Sequence, residues 1–162
     1  MTSRIFYFVY FALILGLAGC HRRTFIMPGD AMDPTIQKDD KVVVDTSAYA
    51  GNPPQRWEVV ALHPTNEQDK DMLWALRVVG LPGEELSFSS DDGDVLIGGK
   101  PLERPPQLAS IRFFAGSVPL GHPYVVPKDC YYVLGDNWRA AYDSRSWGSL
   151  PRKNIVGKVV GK

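Results

Sequence analysis

The chain has 162 residues, its 18 Lys and Arg balance its 18 Asp and Glu, and its two cysteines are Cys20 and Cys130. That length allows one domain with a self-sufficient core, and a zero net charge without Lys/Arg runs or Cys/His finger spacing argues against nucleic-acid binding. Two cysteines specify neither a disulfide framework nor a structural zinc site, which takes about four ligands, so neither a metal nor a cofactor is expected.

In chain order, Arg4 precedes an uninterrupted apolar run from Ile5 to Gly19, 15 residues long. This is short for a membrane-spanning helix, which needs about 20 residues, and lies at the upper end for the apolar part of a signal peptide. The run closes on Leu17-Ala18-Gly19-Cys20, which is similar to a lipobox, with small residues before a cysteine that would accept lipid. The alternative is an anchor helix that happens to end in cysteine. Arg22 and Arg23 outnumber Arg4 and so disfavour a simple anchor with its N-terminus inside. The expected division is residues 1–23 as signal or hydrophobic anchor helix, and 24–162 as a domain held outside the cytoplasmic membrane, close to its surface.

Beyond the tether, short runs rich in β-branched and aromatic residues are bounded by turn-forming clusters such as GNPP, LPGE, DDGD and GHP. They predict strands over Lys41–Asp45, Trp57–His63, Leu73–Val79, Asp94–Gly98, Tyr131–Leu134 and Asn154–Val160. No amphipathic helical pattern longer than two turns follows residue 24, so the class is mainly β and antiparallel. Between Lys100 and Lys128 the chain is rich in proline, which suits a long surface excursion. Cys130 reads as a buried apolar residue, and His21, His63 and His122 as surface or turn residues.

Three segments, in order, carry a resemblance. GDAMDPTI (Gly29 to Ile36) resembles the G-x-Ser-Met-x-Pro-Thr-Leu box of the type I signal peptidases, with Gly29, Met32, Pro34 and Thr35 matching. ALRVVGLPGE (Ala75 to Glu84) resembles their Lys-Arg-Val-x-Gly-Leu-Pro-Gly-Asp box, with Arg77 in step. GDNWRAAYDSRSWG (Gly135 to Gly148) resembles their third box and keeps Gly135, Asp136, Asn137, Asp143, Ser144 and Arg145, while Trp138 stands in place of arginine. The resemblance covers about residues 25 to 160. It implies a coiled antiparallel β-domain on the outer membrane face, and a serine protease that cuts signal peptides with a serine nucleophile and a lysine base.

The departures fall on that chemistry. The position matching the nucleophile is Ala31, that matching the general base is Leu76, and that matching a helper serine is Ala141. Alanine has no nucleophile and leucine no lone pair, and losing either function alone costs a serine protease about 10⁶ in turnover. Asp30 is a poor nucleophile by itself and would need a second carboxylate. Asp143 is the partner to test, although its place suits an ion pair with Arg145 or Arg77. Ser144 lies within a turn, and Thr35 reads as capping the turn of the first box. The reading that follows is an inactive homologue whose frame binds extended signal-peptide-like segments or a secretion partner at the membrane. Two alternatives stand beside it: an active signal peptidase with a displaced dyad, and a structural envelope lipoprotein that binds nothing in the cleft, which a plug formed by the 100–128 excursion would favour.

Overall fold

The computed structural model describes residues 21–66, 68–90, 93–116 and 118–162. The apolar run, Cys20 and the expected anchor helix lie outside them; among the described residues no helix is long and apolar enough to cross a membrane.

The described chain is mainly β. Its strands are β1 (Arg22–Ile26), β2 (Lys41–Asp45), β3 (Val59–Leu62), β4 (Trp74–Gly80), β5 (Glu85–Phe88), β6 (Val95–Ile97), β7 (Lys100–Pro101), β8 (Tyr124–Val125), β9 (Cys130–Leu134), β10 (Leu150–Pro151) and β11 (Ile155–Gly161). A larger sheet has the order β1-β2-β11-β3-β4-β9-β10 and a smaller one the order β7-β6-β5-β8, with antiparallel pairing throughout. The six runs predicted as strands are β2, β3, β4, β6, β9 and β11. The five additional strands carry weak patterns: β1 opens on two arginines, β5 has only four residues, and β7, β8 and β10 have two each. Pro101 and Pro151 sit in β7 and β10, which are edge strands, where a missing backbone donor costs no ladder bond.

β11 is the hinge of the larger sheet. Its first half pairs with β3 and its second with β2, with register irregularities at Ile155/Gly157 and Val159/Gly161. The coil brings β2 so close that a Cβ at Gly157 would lie 2.3 Å from the Asp45 carbonyl oxygen, which leaves room for glycine alone.

Period-two alternation feeds two cores. Tyr131 and Val133 of β9 join Val42, Val44, Val60, Leu76 and Val78 in the first. Tyr132 and Leu134 join Val79, Leu86, Phe88 and Val95 in the second. A strand covered on both faces reads as the continuous run YYVL, without a polar face.

The 100–128 segment departs from the surface excursion expected of it. Leu108, Ile111, Phe113, Ala115 and Val126 are all buried and belong to the second core, and Phe113 stacks on Trp57 with centroids 6.0 Å apart. Proline limits ladder hydrogen bonds but does not oppose side-chain burial, so the segment packs as irregular backbone capped by the two-residue strands β7 and β8. Cys130 is half-buried against the same core with a free thiol, less buried than its apolar reading implies because it begins its strand. Phe113→Ala should lower unfolding free energy by about 3–5 kcal/mol in urea titrations. A change within about 0.5 kcal/mol would mark the segment as an unpacked loop after all.

Candidate functional site

The three sequence boxes meet at one buried ion pair. Arg77, from the middle of β4, donates from Nε to Asp136 Oδ1 at 2.7 Å and from Nη2 to Asp136 Oδ2 at 2.5 Å. Its Nη1 donates to the Trp57 carbonyl at 2.7 Å, and the side chains of the pair are 6% and 0% exposed. Thr35 donates its hydroxyl proton to Asp136, and Arg77 Nη2 approaches Thr35 Oγ1 at 3.5 Å. Thr35 therefore does not cap its own turn as expected. Its hydroxyl reaches across 101 positions of sequence to the third box, where an acceptor that is both charged and buried outcompetes a local backbone group.

A second pair orders the third box. Asp143 is fully buried and accepts from Arg145 Nε at 2.8 Å and Nη2 at 2.6 Å. It also accepts from the Gly135 N–H at 2.9 Å, and it caps the short helix α1 (Ser144–Trp147) through the Arg145 N–H. Of the two arginines, Arg145 is therefore its partner, and with both oxygens engaged Asp143 is not available to Asp30. Ser144 Oγ is buried and accepts from the Val133 N–H. Burial, reinforced by the Asp143 carboxylate, pushes the neighbouring Tyr132 phenol well above its usual range, so it stays neutral. Arg145 Nη1 donates to the Phe114 carbonyl at 2.9 Å, and Phe114 packs on Trp138 with centroids 4.9 Å apart. Trp138 is thus a contact between the third box and the 100–128 segment, and Arg139 lies over its outer face.

These two pairs bring positions 31 and 141 together. The Asn137 N–H donates to the Ala31 carbonyl at 3.0 Å and its Nδ2 to the Asp30 carbonyl at 3.1 Å. A Cβ at Gly135 would fall 2.4 Å from both the Ala31 carbonyl oxygen and the Ala141 Cβ, so only glycine lets the two segments close. Met32 is fully buried beneath this loop, while Gly29 and Pro34 shape its ends.

Beside this junction lies a cleft of about 220 Å³, lined by Met27, Pro28, Gly29, Asp30 and Ala31, by Trp74, Ala75 and Leu76 of β4, by Asp69 and Met72, and by Ala140 and Tyr142. Ala31 and Leu76 face the same space. Ala141 does not line it, although both its neighbours do. Leu76 is 1% exposed and part of the first core. Among the described residues of the 100–128 segment, none lines this cleft. Asp69, Met72, Trp74, Ala140 and Tyr142 carry no box signature. The β3–β4 hairpin and the approach of the third box place them there, and only the strand pairing could have pointed to them.

The cleft runs along an unpaired half-edge of β4. β3 pairs with Trp74 through Arg77, whereas β9 pairs only from Arg77 to Gly80. Val78 exchanges bonds with Trp57 and Glu58 on the β3 side; by alternation Leu76 and Trp74 face the same way, and the Ala75 N–H and C=O point away from β3, toward the cleft. Among the described residues no group of three or more His, Cys, Asp or Glu could hold a metal ion.

The family described as signal peptidase, peptidase S26, matches residues 2–161. The chain belongs to this signal peptidase family. It is similar to signal peptidase I of Leptolyngbya laminosa, 37% identical over 148 residues that cover 85% of this chain and 69% of the relative. It is also similar to probable signal peptidase I-2 of Synechocystis sp., 33% identical and covering 85% and 63%, and to signal peptidase IB of Staphylococcus aureus, 29% identical and covering 83% and 74%. The chain therefore spans about two thirds of the length of the first two. A crystal structure of a signal peptidase I from Enterococcus faecalis matches with a TM-score of 0.50 and 26% identity, covering 67% of this chain and 98% of that one. Of the residues in the three boxes, Thr35, Arg77, Gly135, Asp136, Asn137 and Asp143 are the ones that hold the walls of the cleft together.

Removing one member of a buried pair strands the other. Asp136→Ala should destabilise the protein by about 3–5 kcal/mol, measured by chemical unfolding. A loss below about 1 kcal/mol would show that Arg77 finds water or another partner.

Proposed function

We propose that this chain is a non-catalytic signal peptidase I homologue, held at the outer face of the cytoplasmic membrane by its N-terminal apolar segment or by lipid on Cys20. There it binds extended signal-peptide-like segments or a secretion partner. The observation that carries the reading is the open apolar cleft between Ala31 and Leu76, flanked by the free half-edge of β4. An extended segment laid there gains main-chain hydrogen bonds from Ala75 and places small side chains in the cavity, the strand-addition mode of recognition.

The same place lacks what cleavage needs. A Ser/Lys mechanism requires a hydroxyl whose proton is taken by a lysine that burial keeps neutral. Leu76 supplies the burial without the amine, and Ala31 supplies the backbone N–H, a candidate oxyanion donor, without the hydroxyl. Among the described residues lining the cleft there is no Ser, Thr, Cys, His, Lys or Arg, and the one hydroxyl is that of Tyr142. Thr35 and Ser144, the hydroxyls nearest in sequence, are held by Asp136 and by the Val133 N–H. A displaced dyad has no support in this arrangement. A cleft plugged by the 100–128 segment would favour the purely structural alternative, and the described residues of that segment join the second core instead.

The test is cleavage of a signal-peptide substrate in detergent, with peptide binding followed in parallel, for the native chain and for the triple variant Ala31→Ser, Leu76→Lys, Ala141→Ser. The native chain should bind without cleaving, and the triple variant should cleave at least on the order of 10³-fold faster. Cleavage by the native chain would overturn the reading, and absence of binding would leave the structural role.

A further inference from the structure

The cleft is apolar except at two points. Asp30 and Asp69 are its charged lining residues, and both are acidic; among the described residues no Lys or Arg lines it. Asp30 sits on the loop that carries Ala31. Asp69 comes from the β3–β4 hairpin, where it is half-buried.

Asp69 is held rather than waving in solvent. Asn66 Nδ2 donates to Asp69 Oδ2 at 2.8 Å, and the Met72 N–H donates to the Asp69 carbonyl at 2.8 Å. His63 Nδ1 lies 3.0 Å from the Met72 carbonyl and fastens the hairpin to the end of β3. With its amide nitrogen turned to Asp69, Asn66 is left with a buried side-chain oxygen that has no donor among the described residues. That oxygen is enclosed and does not line the cleft, so the Asp69 carboxylate, held among the described residues only by a neutral amide, is the group that a donor carrying positive charge can reach.

We propose that the cleft selects extended peptides in which a lysine or arginine flanks the small apolar residues, its cation being received by Asp69, with Asp30 adding to the field. The inference rests on the peptide-binding reading above and specifies its ligand. A neutral peptide covering the cleft strips water from these carboxylates and returns nothing, whereas a cation compensates, in surroundings where Met72, Trp74 and Tyr142 weaken solvent screening. An acidic peptide meets like charge. Selectivity therefore comes from repulsion as much as from attraction.

The test uses the full chain in detergent and fluorescently labelled alanine/leucine peptides: one neutral, one series with a single lysine walked along it, and one series with glutamate instead. At low ionic strength the best lysine position should bind roughly three- to tenfold tighter than the neutral peptide, and the glutamate counterpart more weakly than either. About 0.5 M salt should shrink the difference, and in Asp69→Asn the ratio of lysine to neutral affinity should fall toward one, with Asp30→Asn having a smaller effect in the same direction. Equal affinity for neutral and lysine peptides would overturn this inference while leaving peptide binding intact. A lysine preference that survives both substitutions would also overturn it, since the cation would be read elsewhere. If no peptide of any charge binds, the proposed function itself fails.

Discussion

A single buried charge pair, Arg77 with Asp136, ties together segments that lie far apart in sequence. It joins the middle of β4 to the end of β9 and, through the Thr35 hydroxyl, to the loop that carries Ala31. Taking two charges out of water is costly, and the structure offsets that cost with a two-point contact between the charges and further bonds to the Trp57 carbonyl and Thr35. Because a buried charge tolerates little misplacement, the pair fixes register as well as proximity. Asp143 with Arg145 repeats the device one turn later, and its hydrogen bond to the Gly135 N–H sets the glycine against which Ala31 and Ala141 pack. The cleft is what remains between these anchored segments.

Seen from that frame, the three aliphatic positions make physical sense. Leu76 is packed in the first core, and a lysine there would be a buried cation with no hydroxyl to serve. Leucine keeps the volume and removes the desolvation cost. Ala31 presents its side chain to the open cleft, while its carbonyl is held by Asn137, and the Ala141 Cβ lies against Gly135. The ion pairs and hydrogen bonds that anchor the frame involve none of the three side chains. In the proposed reading, recognition through backbone hydrogen bonds and a small apolar cavity is therefore separable from bond cleavage.

Much of this was legible in the sequence. The strands with full β-branched runs, KVVVD, WEVVALH and NIVGKVV, fall where the pattern puts them, because alternate residues there must reach a core. The boxes pointed to an ion pair for Asp143 with Arg145 or Arg77, of which the fold uses Arg145, whereas the pairing of Arg77 with Asp136 was not legible. What sequence did not show arises from long-range geometry. Thr35 binds a carboxylate 101 residues away rather than its own turn, and the prolines between 100 and 128 disguised a segment whose Ile111 and Phe113 are core residues. Asp69 and Tyr142 reach the cleft only because a hairpin and a turn converge there, and no local pattern encodes that meeting.

The central claim is that an extended peptide occupies the space between Ala31 and Leu76 and leaves unbroken. Methyl nuclear magnetic resonance on protein labelled at Ala and Leu, with an intact signal peptide titrated in, measures both halves at once. The account predicts that the Ala31, Ala75 and Leu76 methyl signals shift together while the peptide spectrum shows no new termini over prolonged incubation. Appearance of cleavage products, or shifts confined to residues remote from the cleft, would contradict it.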